Sequence, residues 1–192
     1  MRFSTVILAG GRSQRMQRDK ALLVVDGQSL LHRQIELVRQ RGSEEIFVSS
    51  RTDADYAVPG CLVLHDRFAD AGPLGGIERA LERLRSPLLL VLAVDMPHIN
   101  AEILGELERR CTGSGGVIPR VGGRCEPLVA FYPKTAWPLA AAMLAEGSKA
   151  ATMFAERCVQ SELANFYELE NQSTGHFTSW NRPEDIVSNY HL

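Results

Sequence analysis

"VILAGGRSQRMQRDKALL", residues 6–23, runs from an apolar stretch through Gly10-Gly11 into a segment with four cationic side chains, Arg12, Arg15, Arg18 and Lys20. A short apolar run that ends in glycines reads as a buried strand. Opening such a strand into glycines and cations makes a cradle for an anion, because backbone N–H groups can approach phosphate oxygens without a Cβ in the way. Only Asp19 offsets the local charge. A polyphosphate is therefore the expected guest, with Arg able to grip its oxygens bidentately and Lys acting as a point charge. The bland alternative is a solvated turn. The spacing fits neither the dinucleotide pattern G-x-G-x-x-G nor the phosphate-loop pattern G-x-x-x-x-G-K-[ST].

Working outward, strands are expected at residues 5–9, 46–50, 62–65 and 88–94. The last, "LLLVLAV", is apolar on both faces, as a central parallel strand is. Between them, Leu31, Ile35 and Val38 recur at helical spacing, with Ser29 placed to cap the N-terminus and Gly42 to stop the helix. Ile77, Ala80, Leu81 and Leu84 recur similarly. Beyond Asp95 the pattern loosens. Asn100 can cap a helix carrying Ile103, Leu104 and Leu107, "GGVIP" reads as a short strand, "RVGGR" (120–124) as a turn, and "PLVAFY" as a strand. Helices follow at 135–146 and 149–157, a strand at 165–169, and a last helix after Pro183. This alternation predicts an α/β fold with a mostly parallel sheet and helices on both faces.

The 192 residues, 45% of them hydrophobic, suffice for the core of one domain. A net charge of -2 leaves no broad basic surface for nucleic acid, so any basic site is local. Cys61, Cys111, Cys125 and Cys158 lie far apart without metal-ligand spacing and read as reduced, packed thiols. No apolar stretch approaches the length of a membrane span, and the N-terminal one leads into glycines and arginines rather than a cleavage site. A soluble, cytoplasmic protein without membrane contact is expected.

Ligands of open α/β sheets bind outside the carboxyl ends of the strands. Three segments fall there: the loop from Gly10 to Lys20, "DRFADAGPLGG" (66–76) and "VDMPHI" (94–99). Asp95 follows seven apolar residues. A carboxylate at the end of a buried strand is costly unless something pairs with it. A divalent metal would, since Mg²⁺ takes one or two protein carboxylates and completes its shell with water and phosphates; an Asx turn into Met96-Pro97 is the other reading. "GPLGG" ahead of an amphipathic helix marks a close backbone approach, either to a ligand or to a neighbouring strand.

In order and spacing, "LAGGRSQRMQRDK", "GPLGG", "VDMP" and the late "NRPED" resemble the nucleotidyltransferases with a Rossmann-like core, most closely the molybdenum cofactor guanylyltransferases. The family's first motif, L-A-G-G-x-x-x-R-M-G-x-D-K, is met by Leu8, Ala9, Gly10, Gly11, Arg15, Met16, Asp19 and Lys20; Gln17 stands where the family has Gly. The resemblance implies a single nucleotidyltransferase domain, with a nucleotide-binding half over about 1–100 and an acceptor half over about 101–192. It implies transfer of GMP from GTP to the terminal phosphate of molybdopterin, with release of pyrophosphate. Leu8, Ala9, Gly10, Gly11, Lys20, Ser49, Asp66 and Asp95 are then the nucleotide contacts, Ser49 standing where family members carry an asparagine, and Asp95 also holds Mg²⁺. Arg15, Lys20 and Asp95 are the expected catalytic residues. On the acceptor side, Arg120, Arg124 and Lys149 are either phosphate contacts or solvated charges, and Asn181 is either an acceptor contact or a helix cap. The reading leaves room for contact with a protein that delivers molybdopterin.

Three alternatives share these residues: a molybdopterin cytidylyltransferase, a sugar-phosphate nucleotidyltransferase and a nucleotide-binding regulatory module without turnover. Family members that use pyrimidine nucleotides tend to read L-A-A-G, so Gly10 in place of that second alanine favours a purine. Gln17 and Ser49 are the features that keep the regulatory module open, and retention of Asp95 argues against it.

Overall fold

The computed structural model describes residues 1–10, 19–50, 56, 58–67, 71–113, 115–169 and 175–180. β1 (Phe3–Leu8) is followed by a 3-10 turn (Lys20–Leu22), a small hairpin of β2 (Val24–Val25) and β3 (Gln28–Ser29), then α1 (Leu30–Gln40), β4 (Ile46–Ser50), β5 (Leu62–His65), α2 (Gly72–Arg83) and β6 (Leu88–Ala93). The chain continues through α3 (Ala101–Arg110), β7 (Gly116–Val121), β8 (Arg124–Cys125), β9 (Val129–Pro133), α4 (Trp137–Ala145), α5 (Ala151–Gln160) and β10 (Ala164–Leu169). The main sheet runs β10-β7-β9-β6-β1-β4-β5, with β8 paired to β7.

β5, β4, β1 and β6 are parallel, as the alternation requires. β9 is antiparallel to both β6 and β7, while β10 is parallel to β7. β6 is buried along its whole length because helices cover both faces. Its Leu88, Leu90 and Leu92 pack with α1 and α3, and its Leu89 and Val91 with α2, α4 and α5. Burying such a side chain contributes roughly 1.5–3 kcal/mol, so this strand anchors both layers.

The helix ends are set by the residues the sequence marks. Ser29 Oγ accepts from the His32 N–H at 3.2 Å, Asn100 Oδ1 from the Ile103 N–H at 3.0 Å, and Gly42 ends α1 at φ +78°. Several boundaries differ from expectation. β1 starts at Phe3 and ends at Leu8, β6 ends at Ala93, and α4 and α5 span Trp137–Ala145 and Ala151–Gln160. Only Gly122-Gly123 form the turn of "RVGGR", both at positive φ, which places Arg120 in β7 and Arg124 in β8. "GPLGG" is not a loop before a helix but the first turn and a half of α2. The helix expected after Pro183 lies outside the described residues.

Cys61, Cys111, Cys125 and Cys158 are free thiols. Burial pushes Cys111 and Cys158 up to about 12 and Cys125 to about 11, which keeps them protonated and unreactive near neutral pH.

Candidate active site

β1 and β6 are neighbours whose connections part. The chain leaves β1 for α1 on one face and enters β6 from α2 on the other. Their carboxyl ends therefore border the crevice where ligands of such sheets bind. Leu8 and Ala93 sit in register there, and the Val94 N–H donates to the Leu8 carbonyl at 3.2 Å.

Across that crevice the Lys20 ammonium donates to Asp95 Oδ2 at 2.8 Å. The two side chains are 14% and 22% exposed, shielded enough for the pair to hold but open to a ligand. The sequence asks what pairs with Asp95; in the folded chain Lys20 does. Asp19 fixes the approach of Lys20, since its Oδ1 caps the 3-10 turn at the Ala21 N–H and its Oδ2 accepts from the Tyr56 hydroxyl. On the far side, the Trp180 N–H donates to the Asp95 carbonyl at 2.8 Å, and its fully buried indole meets the His98 ring edge-on. The His176 Nδ1 lies 2.8 Å from the His98 carbonyl, which can only accept, so that nitrogen carries the proton.

Leu8, Ala9 and Gly10 continue from β1, and the Ala9 N–H donates to the Ser49 carbonyl at 3.0 Å. Ser49 is 4% exposed. A Cβ on Gly76 would come within 2.3 Å of the Ser49 hydroxyl oxygen and 2.8 Å of Leu8, so this glycine lets α2 lie directly on β1 and β4. Gly75 likewise leaves room for the Asp66 carboxyl, 3.2 Å from where its Cβ would be.

Among the described residues, Asp66 Oδ1 is buried without a hydrogen-bond partner. Burial pushes its carboxyl up to about 6; His65 opposes that rise and Glu78 adds to it. A carboxyl raised in the folded state binds its proton more tightly than the unfolded chain does. Its stabilising contribution is therefore present below the ordinary carboxyl range and lost as pH rises through about 6. Replacing Asp66 by Asn is expected to raise the melting temperature of the unliganded protein at pH 7.5, with the gain shrinking by pH 5. Calorimetric scans at both pH values check this; a lowered melting temperature at pH 7.5 would mean that the carboxylate is already engaged.

The acceptor candidates are spread along the same carboxyl edge. Arg124 is exposed beside the β7–β8 turn, and Lys149 is exposed with its backbone carbonyl 3.6 Å from where a Gly72 Cβ would lie, at the start of α2. Arg120 stacks over Phe166 at 3.7 Å and pairs with Glu168 at 3.6 Å. Gly11, Arg12, Arg15, Gln17, Arg18 and Asn181 lie outside the described residues. Sequence reasoning missed Tyr56, Gln34 and Trp180, all buried around the Lys20–Asp95 pair. Gln34 alone carried a signal, as a polar residue on the apolar stripe of α1.

Residues 5–162 match the model of the MobA-like NTP transferase domain. The chain belongs to this family. A protein of Opitutus terrae named "Probable molybdenum cofactor guanylyltransferase" is 35% identical over 182 residues, covering 93% of this chain and 90% of that one. The molybdopterin-guanine dinucleotide biosynthesis protein A of Archaeoglobus fulgidus superposes with a TM-score of 0.71 at 21% identity, over 96% of this chain and 95% of that one. The 2-C-methyl-D-erythritol 4-phosphate cytidylyltransferase of Thermus thermophilus superposes with a TM-score of 0.67 at 19% identity, over 95% of each chain. The fold is thus similar to that of a cytidylyltransferase as well, and by itself does not choose the base. No helix among the described residues is long and apolar enough to cross a membrane.

Proposed function

We propose that this chain transfers GMP from GTP to the terminal phosphate of molybdopterin. The observation that carries the reading is the Lys20–Asp95 contact, which joins two residues 75 positions apart at the carboxyl ends of β1 and β6. Family membership and the guanylyltransferase relatives support the choice of reaction.

An oxygen of the acceptor phosphate bonds to the α-phosphorus of GTP while the bond from that phosphorus to the bridging oxygen breaks. Pyrophosphate departs with the electron pair. The acceptor is already an anion at neutral pH, so no side chain has to take a proton from it. Repulsion between two anions is what opposes the step, and charge placed in advance is the remedy. Lys20 supplies one positive charge at the mouth of the crevice. Arg15, outside the described residues, would add another.

Asp95 fits the demands of Mg²⁺. That ion needs one or two carboxylates, and Oδ2 already faces a cation in the form of the Lys20 ammonium. Bound there, Mg²⁺ would neutralise charge on the phosphates. The backbone of Leu8, Ala9, Gly10 and Gly11 would approach the nucleotide, and Asp66 would offer its buried Oδ1 to a donor group. Ser49 seats α2 over the site. Arg124, Lys149 and Asn181 would face the acceptor.

GTP is expected to bind at least about tenfold more tightly than CTP, roughly 1.4 kcal/mol. Calorimetric titration with both nucleotides tests it. Equal affinity, or a preference for CTP, would remove the guanylyl assignment and leave the fold and family untouched.

A further inference from the structure

α1 buries one face through Leu30, Leu31, Gln34, Ile35 and Val38, and Gln34 is the polar member of that set. It is 2% exposed. Its Nε2 donates to the Met96 carbonyl at 2.9 Å, while its Oε1 is buried with no hydrogen-bond partner among the described residues. A buried amide oxygen left unsatisfied costs stability. An apolar side chain of the same length would avoid that cost. Nor does Met96 need the amide to be satisfied, because the Ile99 N–H also reaches its carbonyl, at 3.3 Å. Fold stability therefore does not account for the glutamine.

What Gln34 does touch is the residue after Asp95. The turn bearing that carboxylate is held from three sides: by Lys20 at the side chain, by the Trp180 N–H at the Asp95 carbonyl, and by Gln34 at the Met96 carbonyl. We propose that Gln34 is a positioning residue, which fixes the Asp95–Met96 turn so that the carboxylate meets the metal–nucleotide complex in one orientation. The inference rests on the reading of Asp95 as the metal carboxylate. Partners that orient a metal ligand typically contribute 10–100-fold in affinity or activity.

The test is the gain in GTP affinity that Mg²⁺ confers, measured by calorimetric titration of GTP with Mg²⁺ and with a chelator, alongside melting temperature. Gln34→Met keeps length without the donor, and Gln34→Leu is a second apolar choice. Both are expected to melt no lower than the parent protein, to bind GTP unchanged without metal, and to lose about tenfold of the Mg²⁺-dependent gain. Asp95→Asn should lose that gain altogether. If Asp95→Asn loses it and both Gln34 variants keep it, the positioning role is wrong and the metal carboxylate stands. If Asp95→Asn keeps it, both ideas fall. Variants of Gln34 that melt well below the parent would show that the amide serves the fold, and would also overturn the proposal.

Discussion

Asp95→Asn is expected to slow guanylyl transfer by on the order of a hundredfold or more, equivalent to about 2.7 kcal/mol of transition-state stabilisation. The substitution keeps the side chain's size and a carbonyl oxygen for Lys20, and removes the charge. Because Lys20 Nζ lies 2.8 Å from Asp95 Oδ2, the change also weakens an ion pair. The loss of stability should stay near 1 kcal/mol, a few degrees in melting temperature for a chain of this length. A large fall in rate with a small fall in melting temperature is the signature of a carboxylate that serves the reaction. A variant that melts early yet turns over normally would reduce Asp95 to a turn or a structural ion pair.

Lys20→Met is expected to lower the transfer rate by about a hundredfold as well, since removing one preorganised partner of a developing charge typically costs 10²–10³. The two residues touch, so their effects should not add. Without Lys20 the Asp95 carboxylate loses its cation, and without Asp95 the Lys20 ammonium loses its anchor. The double variant should therefore lose less than the product of the two single losses. Rates for the four proteins under one set of conditions give the coupling directly, and strict multiplication would mean that the two side chains act independently.

Much of the fold follows from local pattern. The continuous apolar run at Leu88–Ala93 could only be a strand covered on both faces, and Ser29 and Asn100 cap the helices they precede. β9 was legible as a strand in "PLVAFY", but its antiparallel direction was not, because that is set by pairing with β6 across the intervening α3 and β7. The β2–β3 hairpin was open to reading, since Asp26-Gly27 adopts the positive φ angles that two-residue hairpin turns require. "GPLGG" was legible as a close backbone approach, met where Gly76 lies on β1 and β4, but not as part of the helix itself. Glycine disfavours helix interiors, yet Gly75 and Gly76 sit in α2 because Ala71, at Gly75, and Ser49 and Leu8, at Gly76, leave no space for a Cβ. At the site, residue types pointed to Lys20 and Asp95 separately, but their contact spans 75 positions and is visible only in the fold. Trp180 gave no sign of its role, because its backbone N–H, not its indole, bonds Asp95.

Pyrophosphate release with each of the four nucleoside triphosphates and Mg²⁺, in the presence and absence of molybdopterin, tests the central claim most directly. Release should require both GTP and molybdopterin, with one pyrophosphate formed for each guanine dinucleotide. Release that ignores molybdopterin, or that CTP supports as well as GTP does, would contradict it.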